Sequence, residues 1–265
     1  MDQSAVADMP EASIAHAAAE LVRARQTNSR LDALPCDDGL LNLEQGFQIQ
    51  QQVGVLAGKQ VGGWKCALPK PGKWIVAPIY ADDIVRSHQY PLNVTTATVR
   101  IEPELACVLG ADLPARSAPY TAEDILRSIS EVRLALEVID CRYTDPHKVT
   151  FEQLLADGLF NHGLVLGPQA ISLSSSNLPV SLDVTLSHPG VEPLRIAGAH
   201  PDHDPVSPIV WLANFLSARG IDLQAGQVVI TGSYAGVLQV PTQQPLDIQF
   251  GEAGSLPVFF STLEE

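Results

Sequence analysis

Apolar residues recur along the chain at two different spacings, and the change from one to the other divides it. Near the start, Ile14, Ala18, Leu21 and Val22 recur at helical spacing, with Asp8 placed as a cap and Pro10 in the first turn. Residues 43–56 repeat the pattern, with Phe47, Val53 and Leu56 inward and Gly46 as a weak spot. These two helices predict a small N-terminal helical lobe over residues 1–63. From residue 64 onward short alternating runs punctuated by Gly and Pro predict a β-rich domain, residues 64–265. Residues 66–80, with Pro69, Pro71, Gly72 and Pro78, read as a long loop of the kind that forms lids or binding segments. Thr121 and Asp124 make a capping-box pattern ahead of Ile125, Leu126, Ile129 and Val132, and this helix runs into the alternating "RLALEVIDCR". Another helix opens at Ser207-Pro208 and ends at Gly220, with Ile209, Leu212, Phe215 and Leu216 on one face. "VSLDVTLSHPG" and "QVVITGS" read as strands and "LDIQFGEAGSLPVFF" as a closing hairpin. Strands outnumber helices without a regular βαβ alternation, which predicts an α+β fold.

One strand breaks the pattern chemically. In "RIEPELACVLG", residues 100–110, period-2 alternation puts Glu102 and Glu104 on the same face. Two glutamates on a strand are ordinarily a solvated face, and Pro103 favours an edge position where charge is normal. Glu137 is different, because it interrupts the apolar run "ALEVID", where an unpaired carboxylate costs several kcal/mol of desolvation or becomes protonated. If the two strands are neighbours, three carboxylates meet and repel unless a cation sits among them. Oxygen ligands without Cys or His favour Mg²⁺ or Mn²⁺ over zinc.

Composition narrows the class. A chain of 265 residues accommodates one large domain or a small one plus a large one. Its 46% hydrophobic and 17% charged residues are apolar-rich and predict a homo-oligomer. The formal charge of −14, with no Lys/Arg cluster, argues against nucleic acid as a partner. Cys36, Cys66, Cys107 and Cys141 lack zinc-site spacing and read as free thiols in a reducing cytoplasm. The acidic N-terminus lacks the pattern of an export signal, and no run of about 18 apolar residues predicts a membrane span.

The quoted motifs resemble the fumarylacetoacetate hydrolase superfamily, in particular its 2-oxopent-4-enoate hydratase and 4-oxalocrotonate decarboxylase branch. The likeness runs through "LEQGFQIQQQV", "VGGWKCAL", "IYADD", "RIEPELACVLG", "ALEVIDCR", "NHGLVLG", "PIVWLANFLSARG" and "LQAGQVVITGS", from about residue 40 to the end. The resemblance implies a mixed β-sandwich roll of that family's C-terminal type behind the helical lobe. It implies Glu102, Glu104 and Glu137 as ligands of Mg²⁺ or Mn²⁺, Lys65 and Asp82 as catalytic residues, and a 2-oxo acid chelated through its carboxylate and 2-oxo oxygens.

Elementary charge counting agrees on Lys65. Three carboxylates and one divalent ion leave −1, so an anionic substrate needs a further cation, and a desolvated lysine there is expected to have a lowered pKa and to exchange protons. Asn161 and His162, in "DGLFNHG", stand near a position where the branch places a serine and this chain has Phe160. "KCALPKPGKW" also lacks the hydroxyl residue that follows the branch's lysine. Thr231, Gly232 and Ser233, in "TGSYAG", are candidates to bind the substrate carboxylate. Phe160 and Trp74 suggest a pocket suited to an apolar tail. "HPDHDP", residues 200–205, has a metal-site composition, but Pro201 and Pro205 make it a polar loop. The expected function is a metal-dependent hydratase acting on a 2-hydroxy-2,4-dienoate in the degradation of an aromatic or ring compound. The alternatives are a 2-oxo acid decarboxylase and a non-catalytic relative that binds a small acid or a partner subunit. Acylpyruvate hydrolysis ranks below hydration, since the context of His88 does not match the hydrolases' water-activating histidine.

Overall fold

The computed structural model describes residues 11–36, 41–172 and 178–263, so Asp8 and Pro10 lie outside the described residues. The elements are α1 (Glu11–Thr27), α2 (Leu43–Ala57), β1 (Val61–Cys66), β2 (Val76–Tyr80), β3 (Ile84–Val85), β4 (Gln89–Pro91), β5 (Thr98–Leu109) and α3 (Ala122–Ser128). They continue with β6 (Ile129–Ile139), α4 (Phe151–Ala156), β7 (Asn161–Ala170), β8 (Val184–Ser187), β9 (Leu194–Ile196) and α5 (Ser207–Ser217). Last come β10 (Val228–Ile230), β11 (Leu238–Pro241), β12 (Pro245–Phe250) and β13 (Gly254–Ser261).

Two mixed sheets form an α+β architecture. An eight-stranded sheet runs β2-β1-β10-β5-β6-β7-β3, with β11 also on β5, and a five-stranded sheet runs β4-β13-β12-β8-β9. The larger sheet curls into a nearly closed barrel as β2 approaches β7. Its two faces separate cleanly. Ile79, Ala106, Val108, Ala135, Leu164, Leu166, Val228 and Ile230 cluster on the inner face. Ile101, Leu105, Cys107, Leu134, Leu136 and Val138 alternate with them and pack outward against Leu186, Ile248, Phe250, Val258 and Phe260 of the second sheet.

α1, α2, α3 and α5 form where the signals stood, whereas α4, capped by Thr150, was not expected. The α2 helix opens with a capping box between Asn42 and Gln45 and closes at Gly58, which is left-handed with φ 62°. Its Phe47, Ile49 and Val53 are buried, whereas Leu56 is exposed. Buried Gln50 donates to the carbonyls of Val76 and Leu155, tying α2 to β2 and α4. The Thr121–Asp124 capping box opens α3. That helix stops at Ser128, so Ile129 and Val132 belong to β6 rather than to a helical stripe.

Two local expectations are corrected. Residues 66–80 contain a fully buried strand, β2, paired antiparallel with β1; the prolines at 69 and 71 are confined to the turn, and Pro78 is tolerated because β2 ends the hydrogen-bonded order. Pro103 is not on an edge, because β5 is flanked by β6 on one side and by β10 and β11 on the other. On that second side β10 reaches only Ala106 and β11 only Ile101, and the gap is filled by the 231–236 loop, whose Tyr234 N–H donates to the Pro103 carbonyl at 3.1 Å. The missing proline N–H falls where no ladder partner requires it.

Gly46 is a close-approach residue. A Cβ there would lie 2.7 Å from the Glu152 carbonyl oxygen of α4. Helix propensity alone would make Gly46→Ala stabilising by about 1 kcal/mol, but forcing two backbones apart costs about 1–3 kcal/mol. The substitution is therefore expected to lower the urea midpoint at unchanged slope; a raised midpoint would show that α2 and α4 separate freely.

Candidate metal and active site

The site is built by strand register. β5 and β6 pair along their length, setting Glu102 directly opposite Glu137 and Glu104 opposite Ala135. Alternation carries all three glutamates onto the inner face beside Ala106 and Ala135. Lys65, near the end of β1, is in register with inward-facing Ile230 of β10 and so reaches the same space. One ligand oxygen from each glutamate lies within 4.8 Å of the others. Glu104 and Glu137 are buried and Glu102 is half-buried.

Each charged group is held. Lys65 Nζ lies 2.8 and 2.9 Å from the two carboxylate oxygens of Glu137 and donates to the Leu159 carbonyl at 3.1 Å. Asn161 Nδ2 donates to Glu137 Oε1 at 2.7 Å, and Gly232 N–H donates to Glu104 Oε2 at 2.6 Å. Three carboxylates against one ammonium leave an excess of two negative charges when all are ionised, in a space walled by apolar side chains.

The titration behaviour follows. Burial, opposed by Lys65 and reinforced by Glu137, pushes Glu102 up to about 7. Burial and the two neighbouring carboxylates raise Glu104 as well, against the lowering effect of the Gly232 amide. Burial disfavours the charged form of Lys65, but attraction to Glu137, Glu102 and Glu104 outweighs it, and its pKa is raised. The lowering expected of a lysine beside a bound divalent ion belongs to the occupied site; with the carboxylates alone around it, the balance runs the other way. Carboxylates driven toward protonation by one another, with oxygen donors within a few ångströms, fit a hard divalent ion.

The structure does not bring every candidate to this cluster. The Asp82 carboxylate is exposed, follows β2 in a short 3-10 turn, and pairs with Lys59 at 3.1 Å. His162 follows Asn161 on β7 and lies near the Tyr90 ring, lining a separate cavity of about 320 Å³ with Arg25, Tyr80 and Arg142. Burial lowers its pKa. The Thr231 hydroxyl is 3.0 Å from His200 Nε2, and the Ser233 hydroxyl donates to the backbone carbonyls of Pro103 and Gly236, so this loop offers Glu104 a backbone amide rather than hydroxyls. Trp74 stacks edge-on against Phe215 and under Arg219, and Phe160 packs on the helical cluster with Ala17 and Leu21.

Three contributors take roles that the sequence did not assign to them. The carbonyl of Leu159 is a main-chain group, to which residue type gives no clue, and Gly232, a candidate for the substrate carboxylate, turns its amide to Glu104. His200 is buried and braces Thr231; it was visible only as part of a polar loop, in which the Asp202 carboxylate also accepts from the Leu68 amide.

Three glutamates and a lysine inside a nearly closed mixed sheet define a class of α+β protein with an acidic cluster suited to a divalent cation. The chain belongs to the fumarylacetoacetate hydrolase family: the profile described as "Fumarylacetoacetate (FAA) hydrolase C-terminal" matches residues 63–257. Over 260 residues it is 25% identical to the 2-oxo-hept-4-ene-1,7-dioate hydratase of Escherichia coli, covering 92% of this chain and 96% of the relative. A 2-keto-4-pentenoate hydratase of Paraburkholderia xenovorans is 28% identical over 163 residues, 62% of this chain and 59% of the relative. Among solved structures, the 4-oxalocrotonate decarboxylase of Pseudomonas putida G7, complexed with magnesium and adipate, shares the fold with a TM-score of 0.79 at 19% identity over 96% of this chain and 99% of that one.

The raised carboxylates set a pH dependence with a definite sign. Glu102 binds its proton more tightly folded (about 7) than at its ordinary 4.5, so without divalent ion its contribution to stability is full below 4.5 and is lost as pH rises through 7. Unfolding free energies measured in chelator from pH 4.5 to 8 are expected to fall less steeply for Glu102→Gln than for the wild type. Parallel curves would show that the trio is not electrostatically frustrated.

Proposed function

We propose that this protein is a divalent-metal-dependent hydratase that adds water to a 2-hydroxy-2,4-dienoate, the enol form of a 2-oxo-4-enoate, in the degradation of an aromatic or ring compound. The observation that carries this reading is the Glu102–Glu104–Glu137 cluster with the Lys65 ammonium against it, in a chain that aligns along nearly its whole length with a hydratase. Its free thiols, three of them buried, fit a reducing cytoplasm. Among the described residues no helix is long and apolar enough to cross a membrane.

The three glutamates would hold Mg²⁺ or Mn²⁺, with Asn161 and the Gly232 amide fixing two of them. When bound, the ion supplies a Lewis acid for the carboxylate and 2-oxo oxygens of the substrate. Lys65 completes the charge balance: three carboxylates, a divalent ion and one ammonium sum to zero, so a monoanionic acid meets no net repulsion. Hydration moves the enol proton to C5 of the diene and then adds water across C3–C4, with OH to C4 and H to C3. With a bound ion offsetting the carboxylates that otherwise raise its pKa, Lys65 would deliver a proton to the carbon chain and recover one from the enol. The apolar wall of Ala106, Ala135 and Ile230 limits bulk water around that exchange. No step is assigned to Asp82 or His162, whose side chains lie elsewhere.

Incubation with Mg²⁺ and a panel of 2-hydroxy-2,4-dienoates should bleach the diene absorbance without release of CO₂. Stoichiometric CO₂ would reassign the protein as a 2-oxo acid decarboxylase, and tight acid binding without turnover would make it a binding relative. Lys65→Met is expected to keep the fold and Mn²⁺ binding while losing turnover by about 10²–10⁴-fold. Wild-type turnover in that variant would remove the lysine from the mechanism.

A further inference from the structure

The segment between α4 and β7 is irregular in a way that its neighbours explain. Gly158, Leu159 and Phe160 are three successive residues with left-handed φ, 87°, 51° and 68°. Glycine accepts this freely, but Leu159 and Phe160 do so only where the surroundings impose it. Beside this turn lies a buried ion pair. Arg142 is 4% and Asp157 1% exposed; Arg142 Nε donates to Asp157 Oδ1 at 2.6 Å and its backbone N–H donates to Oδ2 at 2.8 Å. One terminal arm of the guanidinium spans the turn, with Nη2 donating to the Asp157 carbonyl at 2.8 Å and the Asn161 carbonyl at 3.1 Å. Arg25 adds a second clasp on Asp157 from α1, at 2.7 Å to its carbonyl and 3.1 Å to its carboxylate.

Within this short span the turn presents two groups to the acidic cluster: the Leu159 carbonyl, which takes a proton of the Lys65 ammonium, and the Asn161 amide, which holds Glu137. Neither Arg142 nor Asp157 makes a hydrogen bond to Lys65 or to any of the three glutamates. We propose that the Arg142–Asp157 pair is a positioning device for the proposed hydratase site: it bends the 158–160 backbone into its left-handed path and thereby sets both the lysine and one metal-ligating carboxylate. This rests on the preceding reading of the glutamates as ligands. A lysine at 142 would keep the charge but lose the fork that spans the two carbonyls.

The test uses full-length protein and two readouts. Mn²⁺ affinity, by calorimetry or by the loss of free-ion EPR signal, reads the Asn161–Glu137 limb. The rate at which Lys65 is acylated by trace acetic anhydride, quantified by peptide mass spectrometry, reads the Leu159 limb. Arg142→Lys is expected to weaken Mn²⁺ by about ten-fold, the range typical when a partner of a ligand is disturbed, and to speed acylation of Lys65 several-fold. Asp157→Asn should do the same where it folds, which circular dichroism establishes; Arg142→Lys decides the matter if it does not. In a double-mutant cycle, adding Arg142→Lys to Asn161→Ala should weaken Mn²⁺ little further, since the limb it acts through is already gone. Folded Arg142→Lys with wild-type Mn²⁺ affinity and wild-type acylation overturns the proposal, as do fully additive losses in the cycle. Were the wild type to bind no Mn²⁺, the metal reading alone would fall, and the acylation rates would decide the positioning role.

Discussion

Mutual repulsion among three carboxylates on one face of two adjacent strands is the constraint around which this molecule is arranged. Register alone creates it: once β5 and β6 pair, Glu102 and Glu137 are opposite each other and Glu104 is one step along. Like charges in that relation destabilise a sheet even at a wet surface, and here they sit against apolar walls. The fold answers with a buried ammonium, an amide side chain and a main-chain N–H, which orient the charges without cancelling them. A residual negative charge in a low-dielectric space suits a small multivalent cation.

The groups that orient the cluster come from irregular backbone, while the charges themselves come from regular strands. Strands supply position, because alternation and pairing leave little freedom in where an inward side chain points. Turns supply main-chain donors and acceptors that a ladder would otherwise consume. The loop that plugs the gap between β10 and β11 and the turn ahead of β7 therefore flank the glutamates from two sides.

Much of this was legible in the sequence, for identifiable reasons. Glu137 betrayed itself by interrupting an apolar run, and Glu102 and Glu104 by their period-2 spacing; their meeting depended only on two strands being neighbours. The capping residues of α3 were readable because a side chain does the capping. The β2 strand was hidden by prolines that turned out to crowd the preceding turn. The central place of Pro103 was hidden because a gap in a ladder is a tertiary fact. Lys65 was readable as the cation an acidic cluster needs, whereas the number of carboxylates that raise its pKa without an ion shows only once the strands are paired. Asp82 stands on the turn after β2, where its exposed carboxylate pairs with Lys59, a placement that nothing in "IYADD" announces.

The amide of Gly232 has a use beyond its structural one. It donates to the Glu104 carboxylate through a single short contact, and Gly232 is itself held where a Cβ would collide with Pro201, 2.5 Å away. An amide proton shared with a carboxylate resonates far downfield and moves when that carboxylate gains a proton or turns toward a cation. One backbone cross-peak in a nitrogen–proton correlation spectrum thus reports the state of the acidic centre from inside the barrel, with no label on any side chain that takes part in it.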